Sequence, residues 1–256
     1  MKKEVRVGLL VTCLADLFRP EVAFAALKLL RAAGCTVSVP RSQTCCGQVA
    51  GNSGDREGAR VVAASVVDAF ADYDYLVAPS GSCAGMIRHQ YPTLFPKGDP
   101  LHEQAVALAA KSYELMGFLT DVLGQTTVTA SFPHTVTYHD SCSSRREMGL
   151  DEQPRTLLAS VDQLQLLENN DRESCCGFGG TFCVKYPAIS TRMADERLRS
   201  IQETGAEVLV GPDLGCLLHL AGRLSREGSK IQVRHVAEVL ANMTEAPALA
   251  QEKPHA

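Results

Sequence analysis

Two short stretches constrain this chain more than any others: Thr44-Cys45-Cys46-Gly47 and Ser174-Cys175-Cys176-Gly177-Phe178-Gly179-Gly180. Neighbouring side chains of a strand point to opposite faces, so one buried face does not take both cysteines of a pair. A loop turns both thiols toward one centre, and the glycine that follows lets the backbone come close to whatever sits there. A vicinal disulfide is the other use of adjacent cysteines, but disulfide geometry strains it. One such triplet decides little. Two in comparable surroundings point to a metal or cluster site.

The elements around the triplets repeat in order. Val5 to Val11 is an almost unbroken apolar run, as a strand buried on both faces requires, and Cys13 follows it. Pro20 and Glu21 open a helix that Gly34 stops. Cys35 to Val39 is a short β-branched strand, and the first triplet follows in a loop. Gly54 to Ala71 predicts a helix with Val62, Ser65, Val66, Ala69 and Phe70 toward the core. Tyr75 to Ala78 predicts a strand feeding the turn-rich Pro79-Ser80-Gly81-Ser82-Cys83. Residues 92–100 read as a loop and Leu101 to Leu123 as one long helix. The polar segment Gln125 to His134 reads as the boundary between halves.

The second half runs likewise: strand Thr135 to His139 close to Cys142, helix Pro154 to Val161, strand Leu164 to Leu167, then the second triplet. Helix Pro187 to Thr204, strand Glu207 to Val210 leading to Gly211-Pro212-Asp213-Leu214-Gly215-Cys216, and helix Ile231 to Met243 complete it. Cys13 to Cys45 spans 32 positions and Cys142 to Cys175 spans 33; Cys46 to Cys83 spans 37 and Cys176 to Cys216 spans 40. The expectation is an α/β fold of two similar Rossmann-like halves with mainly parallel sheets, related by internal duplication. The halves are placed at 1–124 and 134–243, with a loose tail over 244–256. Ligands of such sheets collect beyond the carboxyl ends of the strands, so cysteines distant in sequence can meet there.

Composition narrows the function. A net charge of −4 and the lack of tryptophan argue against nucleic acid and against an anionic membrane surface. No apolar stretch approaches the ~18 residues of a membrane span, and the N-terminus reads as a buried strand, not a signal peptide. Ten cysteines in such a chain are expected to be reduced thiols in a cytoplasmic protein, used as ligands. Each half supplies four recurrent ones: Cys13, Cys45, Cys46 and Cys83, then Cys142, Cys175, Cys176 and Cys216. Four thiolates suit an iron–sulfur cluster and also tetrahedral zinc. Structural zinc usually takes paired Cys-x-x-Cys knuckles, and none occurs here. The residues by themselves leave both metals open, and zinc in one half with iron in the other is a further option.

At these residues the chain resembles the cysteine-rich domain of heterodisulfide reductase B subunits and glycolate oxidase iron–sulfur subunits, and within that family its motifs resemble the lactate utilization branch. The matching pieces are Cys45 to Gln48, Tyr138-His-Asp-Ser-Cys142, Cys175 to Phe182 followed by Val184-Lys-Tyr-Pro187, Asp213-Leu-Gly-Cys216 and Val233 to Leu240. The resemblance implies an iron–sulfur subunit, carrying a 4Fe-4S type of cluster, in a multi-protein oxidoreductase system that takes L-lactate to pyruvate. It also implies partner subunits that include another iron–sulfur protein, and no complete active site in this chain. Two departures stand out. The family pattern ends each half in Cys-x-x-Cys, whereas here the ends are Cys83-Ala-Gly-Met86 and Cys216-Leu-Leu-His219, and Ser143 follows Cys142 where relatives often carry histidine. Each half thus lacks the fifth thiolate of the noncubane cluster described for the reductase. Disulfide reduction at a cluster, and a zinc-stabilised interaction module, are the alternatives.

Around the thiols, His139 and Asp140 are candidates to donate hydrogen bonds to cluster sulfur or relay protons, or else simply fix the strand end. His219 stands where a cysteine would, as a candidate near the metal or a helix-surface residue. Cys183 is a near-site thiol, Cys35 and Met86 are expected in packing, and the glycines lack the lysine of a phosphate loop. Electron transfer asks no residue to act as acid, base or nucleophile.

Overall fold

The computed structural model describes residues 4–251. Two four-stranded sheets, all parallel, carry the fold. The first holds β1 (Arg6–Leu9), β2 (Thr36–Ser38), β3 (Tyr75–Ala78) and β4 (Ser112–Glu114) in the order β2-β1-β3-β4. The second holds β5 (Thr135–Tyr138), β6 (Gln165–Leu166), β7 (Val208–Gly211) and β8 (Gln232–His235) in the order β6-β5-β7-β8. The two orders are the same, and so is the register. Leu9 faces Val77 in the first sheet as Tyr138 faces Val210 in the second. The chain is an α/β protein of two similar halves. Helices cross between successive strands, as parallel pairing requires.

The helix Glu21–Ala32 buries Val22, Ala25, Ala26, Leu29 and Leu30, the face its spacing predicts. The helix Arg56–Ala69 is rotated from the expected stripe: Ala59, Ala63, Val66 and Val67 are buried, while Ser65 points to solvent. The long helix expected over Leu101 to Leu123 is broken. A helix ends at Ala110, β4 follows beside β3, and Leu115–Gly117 runs on into a wide π-type turn at Phe118–Val122. The closing helix expected over Ile231 to Met243 breaks likewise into β8 and the helix Val236–Leu240. Three- and four-residue strands offer too few positions for a period of two to show against helical flanks, and sheet pairing satisfies their backbone from outside. Short helices at Cys13–Phe18 and Gln48–Asn52 and a longer one at Leu214–Arg226 were not foreseen. Within the expected tail, Ala248 and Leu249 are buried and the Leu249 N–H donates to the Val233 carbonyl at 2.9 Å. Residues 252–256 lie outside the described ones.

The halves share a core. One apolar cluster joins Val7, Leu9 and Val77 of the first sheet to Val136, Tyr138 and Val210 of the second. A buried ion pair, Arg19 to Glu238 at 2.6 Å, also crosses the junction. Gly81 lies against Ser144 so closely that a Cβ there would sit 2.6 Å from the Ser144 Cα.

Candidate metal centre

Four of the recurrent cysteines sit where a strand ends and a helical turn begins. Cys13 follows β1 in a turn capped by Thr12, whose hydroxyl accepts the Ala15 N–H at 3.3 Å. Cys83 follows β3 in the turn Gly81–Gly85, capped by Ser80. Cys142 follows β5, and Cys216 lies in the first turn of Leu214–Arg226 after β7. The two Cys-Cys-Gly loops follow β2 and β6. Gly47 and Gly177 both take left-handed backbone, φ 81° and 82°, and a Cβ on Gly177 would lie 2.5 Å from the Ser190 carbonyl oxygen. That turn returns the Gly47 and Gly177 N–H groups to the Sγ of Cys45 and Cys175, each at 3.4 Å.

The thiols of each set touch in sequence. All are free thiols. Cys13 hydrogen-bonds with Cys45, Cys45 with Cys46, and Cys46 Sγ lies 3.4 Å from Cys83 Sγ. Cys142 hydrogen-bonds with Cys175, Cys175 with Cys176, and Cys176 with Cys216. Hydrogen bonds from Cys13 and Cys46 hold the Cys45 thiol far below the ordinary range, and those from Cys142 and Cys176 do the same for Cys175. The thiols that donate to them are pushed up in return. In each set, therefore, one readily formed thiolate, Cys45 or Cys175, sits beside two thiols that hold their protons more tightly. A cation would displace the remaining protons. The donor set fits a thiolate-bound metal or iron–sulfur cluster.

All eight of these cysteines line one cavity of about 420 Å³ between the halves. Cys35 does not; it is buried in the shared core. Cys183 turns away, its Sγ 3.2 Å from the Gly180 carbonyl. Met86 packs in the first half's core. The described residues that line the cavity include Glu147 and Asp213 but no lysine, arginine or histidine.

The other expected residues fall in different places. His139 is buried behind the second set: one ring nitrogen lies within 4.8 Å of the sulfurs of both Cys176 and Cys216. Its Nδ1 accepts from Arg197 Nε at 3.1 Å, and burial, then the Arg197 charge, lowers its pKa to about 3. Asp140 accepts from Arg155 at 3.0 Å to each oxygen and from Arg172 at 3.2 and 3.3 Å. Burial pushes that carboxyl up, but the two guanidinium groups outweigh it and hold it below the usual range. His219 meets Ser190 Oγ at 3.2 Å, and Ser190 in turn donates to the Gly177 carbonyl at 2.8 Å, so His219 braces the second loop from behind.

Sequence reasoning missed Asp213, which lies between the two sets. Its Oδ1 accepts from Ser80 Oγ at 2.6 Å, Ser82 Oγ at 2.8 Å and the Ser82 N–H at 3.1 Å. Its Oδ2 accepts from Ser144 Oγ at 3.2 Å and from Ser141 Oγ. Burial alone would raise its pKa, but the hydroxyls of Ser141, Ser80 and Ser82 keep it below the ordinary carboxylate range. The signal was available in the alignment of Pro79-Ser80-Gly-Ser-Cys83 with Pro212-Asp213-Leu-Gly-Cys216.

The sequence matches the cysteine-rich domain family, CCG, twice, over residues 7–88 and 136–221. It is 47% identical over 236 residues to lactate utilization protein A of Halalkalibacterium halodurans, covering 92% of this chain and 96% of that one. The chain belongs to the lactate utilization protein A family. Lactate utilization protein A 2 of Bacillus cereus is 43% identical over 237 residues, with 93% and 98% covered. Among solved structures, an Asp/Glu racemase homologue from Yersinia pestis aligns over 93% of this chain and 96% of its own, at 10% identity and a TM-score of 0.35. Among the described residues no helix is long and apolar enough to cross a membrane.

Proposed function

We propose that this protein is the iron–sulfur electron-transfer subunit of a multi-protein system that oxidises L-lactate to pyruvate. The observation that carries the reading is the meeting of all eight recurrent cysteines, four from each half, around one cavity. Cys13, Cys45, Cys46 and Cys83 would hold one cluster, and Cys142, Cys175, Cys176 and Cys216 a second. A 4Fe-4S cluster supplies one-electron transfer without bond making at the protein. The chain's own part is to present thiolates, to aim the Gly47 and Gly177 N–H groups at sulfur and to keep the sites close. Lactate itself finds poor reception here. Its carboxylate would meet Glu147 and Asp213 and no basic side chain among the described lining residues. The oxidation of the 2-hydroxy acid is therefore assigned to a partner subunit. Val49 and Val184 line the cavity yet are exposed, at 49% and 78%, and suit a docking surface for a partner iron–sulfur protein.

The shared cavity gives specific support to a second reading, reduction of a disulfide between the two sets. Iron, zinc and acid-labile sulfide, measured per chain after anaerobic purification, test the proposal. Iron with matching sulfide is expected. Zinc without sulfide in both halves would overturn it, and turnover of a disulfide with a reduced donor would favour the second reading. Cys176→Ser should remove most of the second half's iron and leave the fold intact, whereas Cys46→Ser loses less if the first set holds zinc.

A further inference from the structure

The duplication allows the two sets to be compared position by position. Leu10 and His139 make the same backbone bond, the Leu10 N–H to the Val77 carbonyl at 2.9 Å and the His139 N–H to the Val210 carbonyl at 2.7 Å. Each follows the first strand of its half, and each stands three residues before a cysteine, Cys13 or Cys142. The helices behind the loops also correspond. Ala59, Ala63, Val66 and Val67 are buried in one, and Ser190, Ala194, Arg197 and Leu198 are buried at the same spacing in the other. Leu10 thus matches His139, and Val66 matches Arg197. In the first half Leu10 and Val66 pack in one apolar cluster with Cys46 and Cys83. In the second half the same two places hold a histidine and an arginine, both almost fully buried and hydrogen-bonded to each other.

That hydrogen bond fixes the imidazole. The Arg197 Nε–H can only donate, so His139 Nδ1 must present its lone pair and the ring proton must sit on Nε2. Nε2 is buried and has no hydrogen-bond partner among the described residues, and neither has Arg197 Nη2. An Nε2 that carries its proton has no lone pair for a metal. It is a donor, in a ring one of whose nitrogens lies within 4.8 Å of the sulfurs of Cys176 and Cys216.

We propose that His139, oriented by Arg197, is a fixed N–H donor to the sulfurs of Cys176 and Cys216, and so makes a cluster in the second set easier to reduce than apolar surroundings like those of the first set would. Its reduction half rests on the iron–sulfur reading above. A hydrogen bond to sulfur and a nearby guanidinium both favour the added negative charge. His139 is a positioning and tuning residue here, not a ligand.

Two measurements decide it. In reduced, metal-free protein with ¹⁵N-labelled histidine, long-range ¹H–¹⁵N spectra should show His139 as the Nε2–H tautomer; an Nδ1–H tautomer overturns the proposal. In anaerobically reconstituted protein, the second set's signal is the one lost in Cys176→Ser. For that signal, the double variant His139→Leu/Arg197→Val installs the first half's pair. It should keep its iron and show a roughly tenfold lower reduced-to-oxidised ratio at the parent's midpoint potential, the worth of one hydrogen bond to a charged group. His139→Gln, which keeps a side-chain N–H, should recover part of that ratio. An unchanged ratio overturns the proposal. So does selective loss of iron from the second set of a folded His139→Leu protein, which would make His139 a ligand. A parent that binds no iron overturns the iron–sulfur reading and the reduction half with it, while the tautomer still decides the donor.

Discussion

Asp213→Ala should destabilise the protein by about 3–5 kcal/mol and disturb both cysteine sets at once. Four serine hydroxyls and one backbone N–H converge on this carboxylate. Hydrogen bonds to a charged group are worth ~1.5–3 kcal/mol each, and a buried donor left without a partner costs ~1–3. A simple sum overstates the loss, because Ser80 and Ser82 lie 3.0 Å apart and Ser141 and Ser144 2.9 Å apart, so each pair can bond to itself once the carboxylate is gone. What remains is the Ser82 N–H, the hydroxyl protons that pairing cannot satisfy, and the contact that joins the halves. Asp213→Asn keeps an acceptor oxygen and should cost less, about 1.5–3 kcal/mol.

Urea unfolding at pH 7, with the slope m compared among variants, measures the difference. The folded pKa of Asp213 is depressed, so its contribution is complete above the ordinary carboxylate value of ~3.9 and is lost as pH falls below it. The gap between parent and Asp213→Ala should therefore narrow in acid. Ser82 precedes Cys83 and Ser141 precedes Cys142, so metal uptake should fall in both halves although all eight cysteines remain. A loss below about 1 kcal/mol, or a defect confined to the second half, would refute the argument that this carboxylate joins the sites.

Burial raises the Glu114 pKa to about 8, against the opposing Gly117 and Met116 N–H bonds, so folding takes up a proton and stability falls as pH rises from ~4.5 toward 8. Glu114→Gln should flatten that part of a Tm-against-pH curve; an unchanged slope would show the carboxyl to be ionised in the fold. Arg19→Met leaves Glu238 buried without its cation and should cost about 3–5 kcal/mol, with Arg19→Met/Glu238→Gln recovering part of it in denaturant titrations. Gly177→Ala meets both a left-handed φ and the Ser190 carbonyl, and should lose at least about 1–3 kcal/mol along with metal uptake by the second set. Wild-type metal content in that variant would dissociate the loop's geometry from ligation.

The main strands and the cysteine sets were legible because each leaves a local mark. Val5 to Val11 is continuously apolar, and a Cys-Cys-Gly loop has few structural uses. β4 and β8 were not legible, since their few residues look like parts of the helices beside them. Ser65 misled because the helix stripe was phased by residue type, when Ala59 and Ala63 set the buried face. Asp140 read as a site residue from its place beside Cys142, yet two arginines, one 15 and one 32 residues away, claim both its oxygens. No local pattern announces a partner that distant. His139 was visible as a candidate, but its tautomer depends on Arg197, 58 residues on.

The contact between Ser80 and Asp213 has a further meaning. Ser80 and Asp213 occupy matching places in the two halves, each two residues beyond its strand and three before its cysteine. Matching residues that touch each other across the junction meet as equivalent residues do across an isologous dimer interface. Strict symmetry would be costly there. Two aspartates would bury like charges against each other, and two serines would leave the remaining hydroxyls without a common acceptor. One of each satisfies both sides: a single carboxylate takes Ser80 and Ser82 from one half and Ser141 and Ser144 from its own. Duplication thus accounts for the common geometry of the two sulfur sets. The junction and the surroundings of the thiols depend instead on places where the copies diverged, Ser80 against Asp213, Leu10 against His139, and Val66 against Arg197. Substitutions that restore symmetry at those three places should leave each half recognisable as a fold while weakening what joins the halves or distinguishes them.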